Sequence, residues 1–217
     1  MNNQQKYALG IHTTTPELGL VMSNFVDDTR SQVWNLGRDV SSHIHQCLVD
    51  FILPQSWPDL QLIAVAKGPG GFTGTRIGVV IARTLGQQLN IPVLAISTLA
   101  AVAWHEKSQN SHLPATIAVE MPAQQGKVFG AIYQINVNNS GIKALLADQV
   151  FTLEEWEETL NGLPNDYPVE YKLIRATSNL AVTVTSILHL AYLDWQQGKN
   201  GHWSDSLPYY GQQPVDS

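Results

Sequence analysis

Thiol chemistry is nearly missing from this chain: Cys47 is the only cysteine in 217 residues. One thiol closes no internal disulfide, which points to a reducing compartment. Positive charge is also scarce, with 12 Lys and Arg against 18 Asp and Glu and a formal net charge of −6. Residues 1–104 carry six side chains of each sign, whereas residues 105–217 carry six basic and twelve acidic ones. Nucleic acid is gripped by clustered Lys and Arg, so this distribution argues against unaided binding; if RNA is involved, a partner supplies most of the grip. No apolar run approaches a membrane span. The polar start Met1-Asn2-Asn3-Gln4-Gln5-Lys6 does not read as a signal peptide, so the expectation is a cytoplasmic protein. Neither a Gly-x-Ser-x-Gly elbow nor a His-Glu-x-x-His pair occurs, which removes two common hydrolase designs.

Glycine, by contrast, is concentrated in Lys67-Gly68-Pro69-Gly70-Gly71-Phe72-Thr73-Gly74-Thr75-Arg76-Ile77-Gly78. This stretch follows an apolar strand pattern at residues 62–66 and opens a periodic helix over residues 75–88. Glycines free the backbone for crowded turns, and amides at a helix N-terminus favour anions. Lys67, Gly68, Gly70, Gly71, Thr73 and Gly74, with Thr75 and Arg76, therefore read either as a vestigial anion cradle or as a tight strand-to-helix turn. The Walker pattern is not met, because no Lys-Ser or Lys-Thr follows Gly74; nor is the dinucleotide fingerprint, because Thr73 stands at its third glycine.

In the helix that follows, Gly74, Gly78, Ala82 and Gly86 recur every fourth residue and form one smooth stripe. A helical glycine is unfavourable by about 1 kcal/mol relative to alanine, so something must approach closely. That something is either the chain's own sheet or a helix of another protein. Arg76 and Arg83, one heptad apart, either flank such an interface or sit on a solvated face.

Elsewhere the chain alternates strand and helix patterns. Strands are expected at residues 7–13, 18–25, 32–36, 62–66 and 92–97, with helices at 41–52, capped by Ser41 or Ser42, and at 98–104. After a polar stretch the opening recurs, with strands at 115–120, 127–136 and 142–150. Thr152 and Glu155 form a capping box for an acidic helix, and a last helix covers 180–197. One strand-strand-strand-helix unit is used twice, in residues 1–104 and again, shorter, in 105–217. The class is α/β with mixed sheets.

The remaining candidates carry little chemistry. His43 and His45 lie two residues apart on a helix and point about 200° away from each other, so they do not chelate one ion. Cys47 reads as a small buried residue, since nothing near it lowers its pKa. His12 ends the first strand, where a nucleotide-handling enzyme needs a carboxylate to hold magnesium. Glu120 occupies the matching place in the second unit without a visible partner. No catalytic residue, metal or cofactor is assigned.

Leu9-Gly10-Ile11-His12-Thr13-Thr14, the glycine segment and Ala95-Ile96-Ser97-Thr98-Leu99 together resemble the TsaB (YeaZ) family. His43 with Leu48 is similar to that family's histidine-led helix. In the second half Ile117-Ala118-Val119-Glu120 with Val128-Phe129, and Leu207-Pro208-Tyr209-Tyr210, are similar too. The resemblance implies a two-lobed fold of the actin-like, Hsp70-like ATPase superfamily (ribonuclease H-like), with a reduced second lobe. It also implies a non-catalytic role in making threonylcarbamoyladenosine on tRNA, beside a TsaD-like transferase and a TsaE-like ATPase, with homodimers possible. The partner interface would then comprise His43, Arg76, Gly78, Ala82, Arg83 and Gly86. Two departures stand out: His12 replaces the family's usual Asp, and Glu120-Met121-Pro122-Ala123-Gln124 replaces its Asp-Ala-Arg segment. An independent ATP-dependent kinase or hydrolase of the same fold is the alternative.

Overall fold

A computed structural model describes residues 6–136, 140–166 and 170–211, so the polar start at residues 1–5 lies outside the described part. The first sheet contains β1 (Tyr7–His12), β2 (Glu17–Ser23), β3 (Thr29–Asn35), β4 (Leu60–Ala66) and β5 (Val93–Ile96), in the order β3-β2-β1-β4-β5. β1 pairs antiparallel with β2 and parallel with β4, which makes the sheet mixed. Every residue of β1 is buried, as its unbroken apolar run demands of a central strand covered on both faces.

Two helices cover one face of this sheet. α1 (Val40–Ile52) buries Val40, Ile44, Leu48, Phe51 and Ile52. Its N-cap is Asp39, entered through a 3-10 turn, whereas Ser41 and Ser42 lie exposed within the helix and do not cap it. α2 (Phe72–Leu89) begins earlier than the expected residue 75 and ends on Asn90 in the left-handed conformation. With the sheet, these helices enclose a core of Leu9, Ile11, Leu20, Ile44, Leu48, Ile63, Val65, Val79 and Ala82.

α3 (Thr98–Gln109) is capped by the Ser97 hydroxyl, which accepts from the amides of Leu99 (3.1 Å) and Ala100 (3.2 Å). It runs past residue 104, where the sequence suggested a division between the two units. The second sheet follows, built of β6 (Thr116–Pro122), β7 (Val128–Ile135), β8 (Ile142–Phe151) and β9 (Tyr171–Arg175), in the order β8-β7-β6-β9. β9 has no counterpart among the strands expected from sequence. α4 (Leu153–Asp166) packs Trp156, Leu160 and Leu163 onto this sheet. The Thr152–Glu155 capping box forms reciprocally, at 2.8 and 3.2 Å.

The last helix, α5 (Val184–Gln196), packs on the first sheet, while α3 packs on the second and against α5. Each sheet thus borrows a helix from the other's stretch of chain. The result is one continuous core that joins Ala8, Leu62 and Ala64 to Leu99, Trp104, Ile117, Val119, Tyr133, Ile187 and Leu188.

Candidate functional site

β1 and β6 run to the same end of their sheets, and a cleft of about 1000 Å³ opens there between the two. One wall is the β1–β2 turn, Thr13, Thr14 and Thr15, with Gly70, Gly71, Phe72, Thr73 and Gly74 from the glycine loop. The opposite wall is Met121, Pro122, Ala123, Gln124 and Phe129, and Tyr210 closes one side. Among the described lining residues the only charged side chain is Arg38. The cleft presents hydroxyls, helix-start amides and apolar surface. It offers no carboxylate for a divalent ion and no lysine for a polyphosphate.

The glycines serve close packing first. The Gly71 amide donates to the Thr14 carbonyl (2.7 Å), and the Thr13 hydroxyl donates to the Gly74 carbonyl (2.8 Å). A Cβ at Gly70 would collide with the Thr14 main chain, and one at Gly74 with the Thr13 carbonyl. Gly68 has φ +103 and lies against the Tyr209 carbonyl. Neither Lys67 nor Gly68 lines the cleft with Gly70 to Gly74. Lys67 lines a smaller cavity of about 390 Å³ with Asp205 and Tyr209. The amides of Phe72, Thr73 and Gly74 form the open start of α2, as any helix leaves them.

The two strand ends differ in kind. His12 is fully buried, its Nε2 stands 3.5 Å from the Thr14 hydroxyl, and burial pushes its pKa down to about 3. The ring is therefore neutral near pH 7, and it neither ligates a magnesium ion as Asp would nor supplies a cation. Glu120 accepts from Trp156 Nε1 (2.7 Å) and from Arg175 Nε (2.8 Å). Sequence reasoning left Glu120 without a partner; β9 and α4 bring both, and neither group belongs to the cleft.

The stripe of Gly78, Ala82 and Gly86 is buried against the chain's own structure. Gly78 faces the Thr13 side chain, and Gly86 faces Val93, Ile91 and Trp203. One side of α2 presents Arg76, Ile77, Val80, Ile81, Thr84 and Leu85. With Ile44, His45, Leu48 and Val49 of α1 and Trp57, it lines an apolar groove of about 580 Å³. Val49 and Val80 are each 50% exposed, which is high for valine within a groove. Arg76 belongs to this groove, but the Arg83 guanidinium lies 5.9 Å from the centre of the Trp203 ring and Arg83 is not part of the groove lining. His43 is exposed on α1, its Nδ1 3.0 Å from the Asp39 carbonyl, and does not line the groove. Cys47 is half-buried, and burial raises its pKa, helped by Asp50.

Sequence reasoning did not find Arg38, the aromatic pair Phe72–Tyr210 (centroids 4.3 Å apart), or the buried link from Ser97 through Tyr133 to Asp148. The Ser97 and Tyr133 hydroxyls are 3.1 Å apart, and Tyr133 donates to Asp148, whose carboxyl is raised above its ordinary range by burial. Phe72, Ser97 and Tyr210 stand in runs that the sequence singles out, but nothing in those runs signals their partners. Among the described residues no helix is long and apolar enough to cross a membrane.

Comparison with known proteins agrees in direction. The family model described as TsaD: tRNA N6-adenosine threonylcarbamoyltransferase matches residues 41–191. The tRNA threonylcarbamoyladenosine biosynthesis protein TsaB of Bacillus subtilis (strain 168) is 37% identical over 127 residues, 58% of this chain and 51% of that protein. The Escherichia coli (strain K12) protein of the same description is 32% identical over 119 residues, 49% of this chain and 50% of that protein. The chain spans about half the length of the curated relatives it matches. Among solved structures, YeaZ from Pseudomonas aeruginosa superposes with a TM-score of 0.74 at 19% identity, covering 94% of this chain and 99% of that one. A Pseudomonas aeruginosa protein described as similar to peptidase YEAZ gives 0.76 at 20% identity, covering 95% and 100%. At such identity the two structures speak for the fold alone: α/β with mixed sheets.

Proposed function

This chain belongs to the family of the TsaD model and, within it, to the TsaB (YeaZ) group of tRNA-modification proteins, and from that premise we propose a non-catalytic partner subunit. Its role is to scaffold and activate a TsaD-like transferase that makes threonylcarbamoyladenosine on tRNA. A TsaE-like ATPase joins the assembly, tRNA is met only through the complex, and a homodimer uses the same surface when the partner is absent. The two sheet units are read as the two lobes of an actin-like fold, the second reduced, with the lobe boundary after α3.

The observation that carries this reading is the cleft. Phosphoryl transfer needs oxygen ligands for magnesium and cations around the phosphates. The described lining of this cleft has Arg38 and no carboxylate, and the strand end beside it carries a neutral, buried His12. The surface that remains for function is the α1–α2 groove. Its exposed Val49 and Val80, with Ile77 and Ile81, suit helices of a partner, and Arg76 and His45 supply polar edges. Gly78, Ala82 and Gly86 act at this interface from beneath, by letting α2 settle deeply on its sheet.

Reconstitution tests the reading. Addition of this chain to its TsaD-like subunit should stimulate tRNA modification, and Val80→Glu should abolish both stimulation and co-purification. Modification that proceeds equally without the chain would overturn the functional reading. Nucleotide turnover by the chain alone would restore the kinase or hydrolase alternative.

A further inference from the structure

The docking reading leaves residues 201–211 unused, although they contain the Leu207-Pro208-Tyr209-Tyr210 run. This segment crosses from one sheet to the other. Val93 of β5 donates its amide to the Gly201 carbonyl (2.9 Å), and the Ser206 hydroxyl donates back to the Val93 carbonyl (3.0 Å). Further on, the Tyr209 amide donates to the Lys67 carbonyl (2.7 Å) at the mouth of the glycine loop. The Tyr209 hydroxyl donates to the Asp148 carbonyl of β8 (2.6 Å).

The same segment holds α2 near both ends. Trp203 fits against Gly86, where a Cβ would stand 3.3 Å from the Trp203 Cβ, and it receives the Arg83 guanidinium on its ring. Tyr210 packs on Phe72, the first residue of α2, with ring centroids 4.3 Å apart. Phe72 to Gly86 is about 21 Å of helix at 1.5 Å per residue. Trp203 to Tyr210, a 3-10 turn followed by extended chain, reaches at most about 21 Å. The segment is therefore as long as the helix it holds, with little slack. Ile77 of α2 and Ser41 of α1 line both the cleft and the groove, so any displacement of the first turns of α2 reshapes the groove.

We propose that residues 201–211 form a clamp that fixes α2 from both ends and so presets the α1–α2 groove for its partner. The inference rests on the docking reading above. With the clamp closed, the partner meets a formed groove and spends no binding free energy on ordering α2. With Tyr210 released, Phe72 loses its cover and the first turn of α2 frays.

The test uses the full chain and its TsaD-like subunit, with affinity from calorimetry and amide hydrogen exchange on residues 72–78. Tyr210→Ala should weaken association about three- to tenfold and raise exchange in those residues, while Tyr210→Phe, which keeps the ring, should leave both unchanged. Tyr209→Phe removes only the hydroxyl bond to β8 and should shift both measurements the same way, to a smaller extent. Val80→Glu serves as the control within the groove. Loss of binding with Val80→Glu but unchanged affinity with both Tyr210→Ala and Tyr209→Phe would overturn the clamp and leave the docking reading intact. Unchanged binding with Val80→Glu would overturn the docking reading, and exchange in residues 72–78 would then decide the clamp by itself.

Discussion

The two sheets share a strand order but not a use. In the first, β3-β2-β1-β4 continues into β5; in the second, β8-β7-β6-β9 stops where β5 would have its counterpart. Both first strands pair antiparallel with the next strand and parallel with the crossover strand. Among the described residues the second unit lacks the glycine loop and a fifth strand, and the helix after its crossover strand, α5, packs on the other sheet. The glycine loop lines much of one cleft wall, and α2 with α1 builds the groove. The duplicated frame is common to both units, and the docking surface proposed above uses α2, the helix after the crossover strand that the first unit keeps on its own sheet.

The largest test of this comparison concerns the core both units share. Leu188 of α5 is buried against β1 of the other unit, so Leu188→Ala should destabilise the chain by about 2–5 kcal/mol. Loss of secondary structure and of tryptophan fluorescence should coincide in one transition. Two separate transitions would show that the sheets are independent after all.

Next is the contrast between the two strand ends, tested at His12. His12 has a folded pKa near 3 against an ordinary value of 6.5, so the folded chain binds fewer protons than the unfolded chain between those values. Its contribution to stability is complete above about pH 6.5 and is lost as pH falls towards 3, by up to about 1.4 kcal/mol per pH unit. His12→Asn should flatten that acid limb in denaturant titrations at several pH values.

Helical glycines give a contrast of opposite sign. Gly78 faces the Thr13 side chain, whereas a Cβ on Gly162 of α4 would meet nothing within 4 Å. Gly78→Ala should destabilise by about 1–3 kcal/mol, and Gly162→Ala should stabilise by about 0.5–1 kcal/mol. Equal effects from the two would break the distinction between a packed stripe and an open one.

The smallest effect belongs to the ion pair of Arg175 with Glu120. The Arg175 side chain is 78% exposed, so Arg175→Ala should change stability by less than about 1 kcal/mol. A larger loss would mean that the Glu120 end of the second sheet carries more than a surface contact.

Much of this was legible in the sequence, and the failures have physical causes. The unit repeated twice, the glycine turn and the capping box follow from local patterns, and each was found. β9 escaped because Tyr171-Lys172-Leu173-Ile174-Arg175 is short and half-exposed, without clean alternation. α3 was cut at Trp104 because its apolar residues end there. In the structure it continues as a solvated turn whose Lys107 reaches the Ser111 carbonyl at 2.8 Å. The site was less legible than the fold. A stripe of small residues signals close approach but not by what, and only tertiary structure turns Gly78, Ala82 and Gly86 inward and leaves Ile77, Val80 and Ile81 outside. Heptad spacing placed Arg76 and Arg83 together, yet a tryptophan distant in sequence draws Arg83 away. The Phe72–Tyr210 contact is invisible to any local pattern, since its partners lie far apart in the chain.

The exchange of α3 and α5 between the sheets also has a consequence during synthesis. When β1 emerges, the helix that covers its inner face has not been made, and about 175 further residues must be added before α5 arrives. At typical elongation rates of 5–20 residues per second that interval is about 9–35 seconds. Until it closes, Ala8, and Leu62 and Ala64 once they are made, lack the α5 side chains Ile187 and Leu188 that share their core. Contacts so distant in sequence also close slowly. This chain should therefore be a customer of whatever shields nascent apolar surfaces, and its yield should depend on that shield more than its final stability suggests.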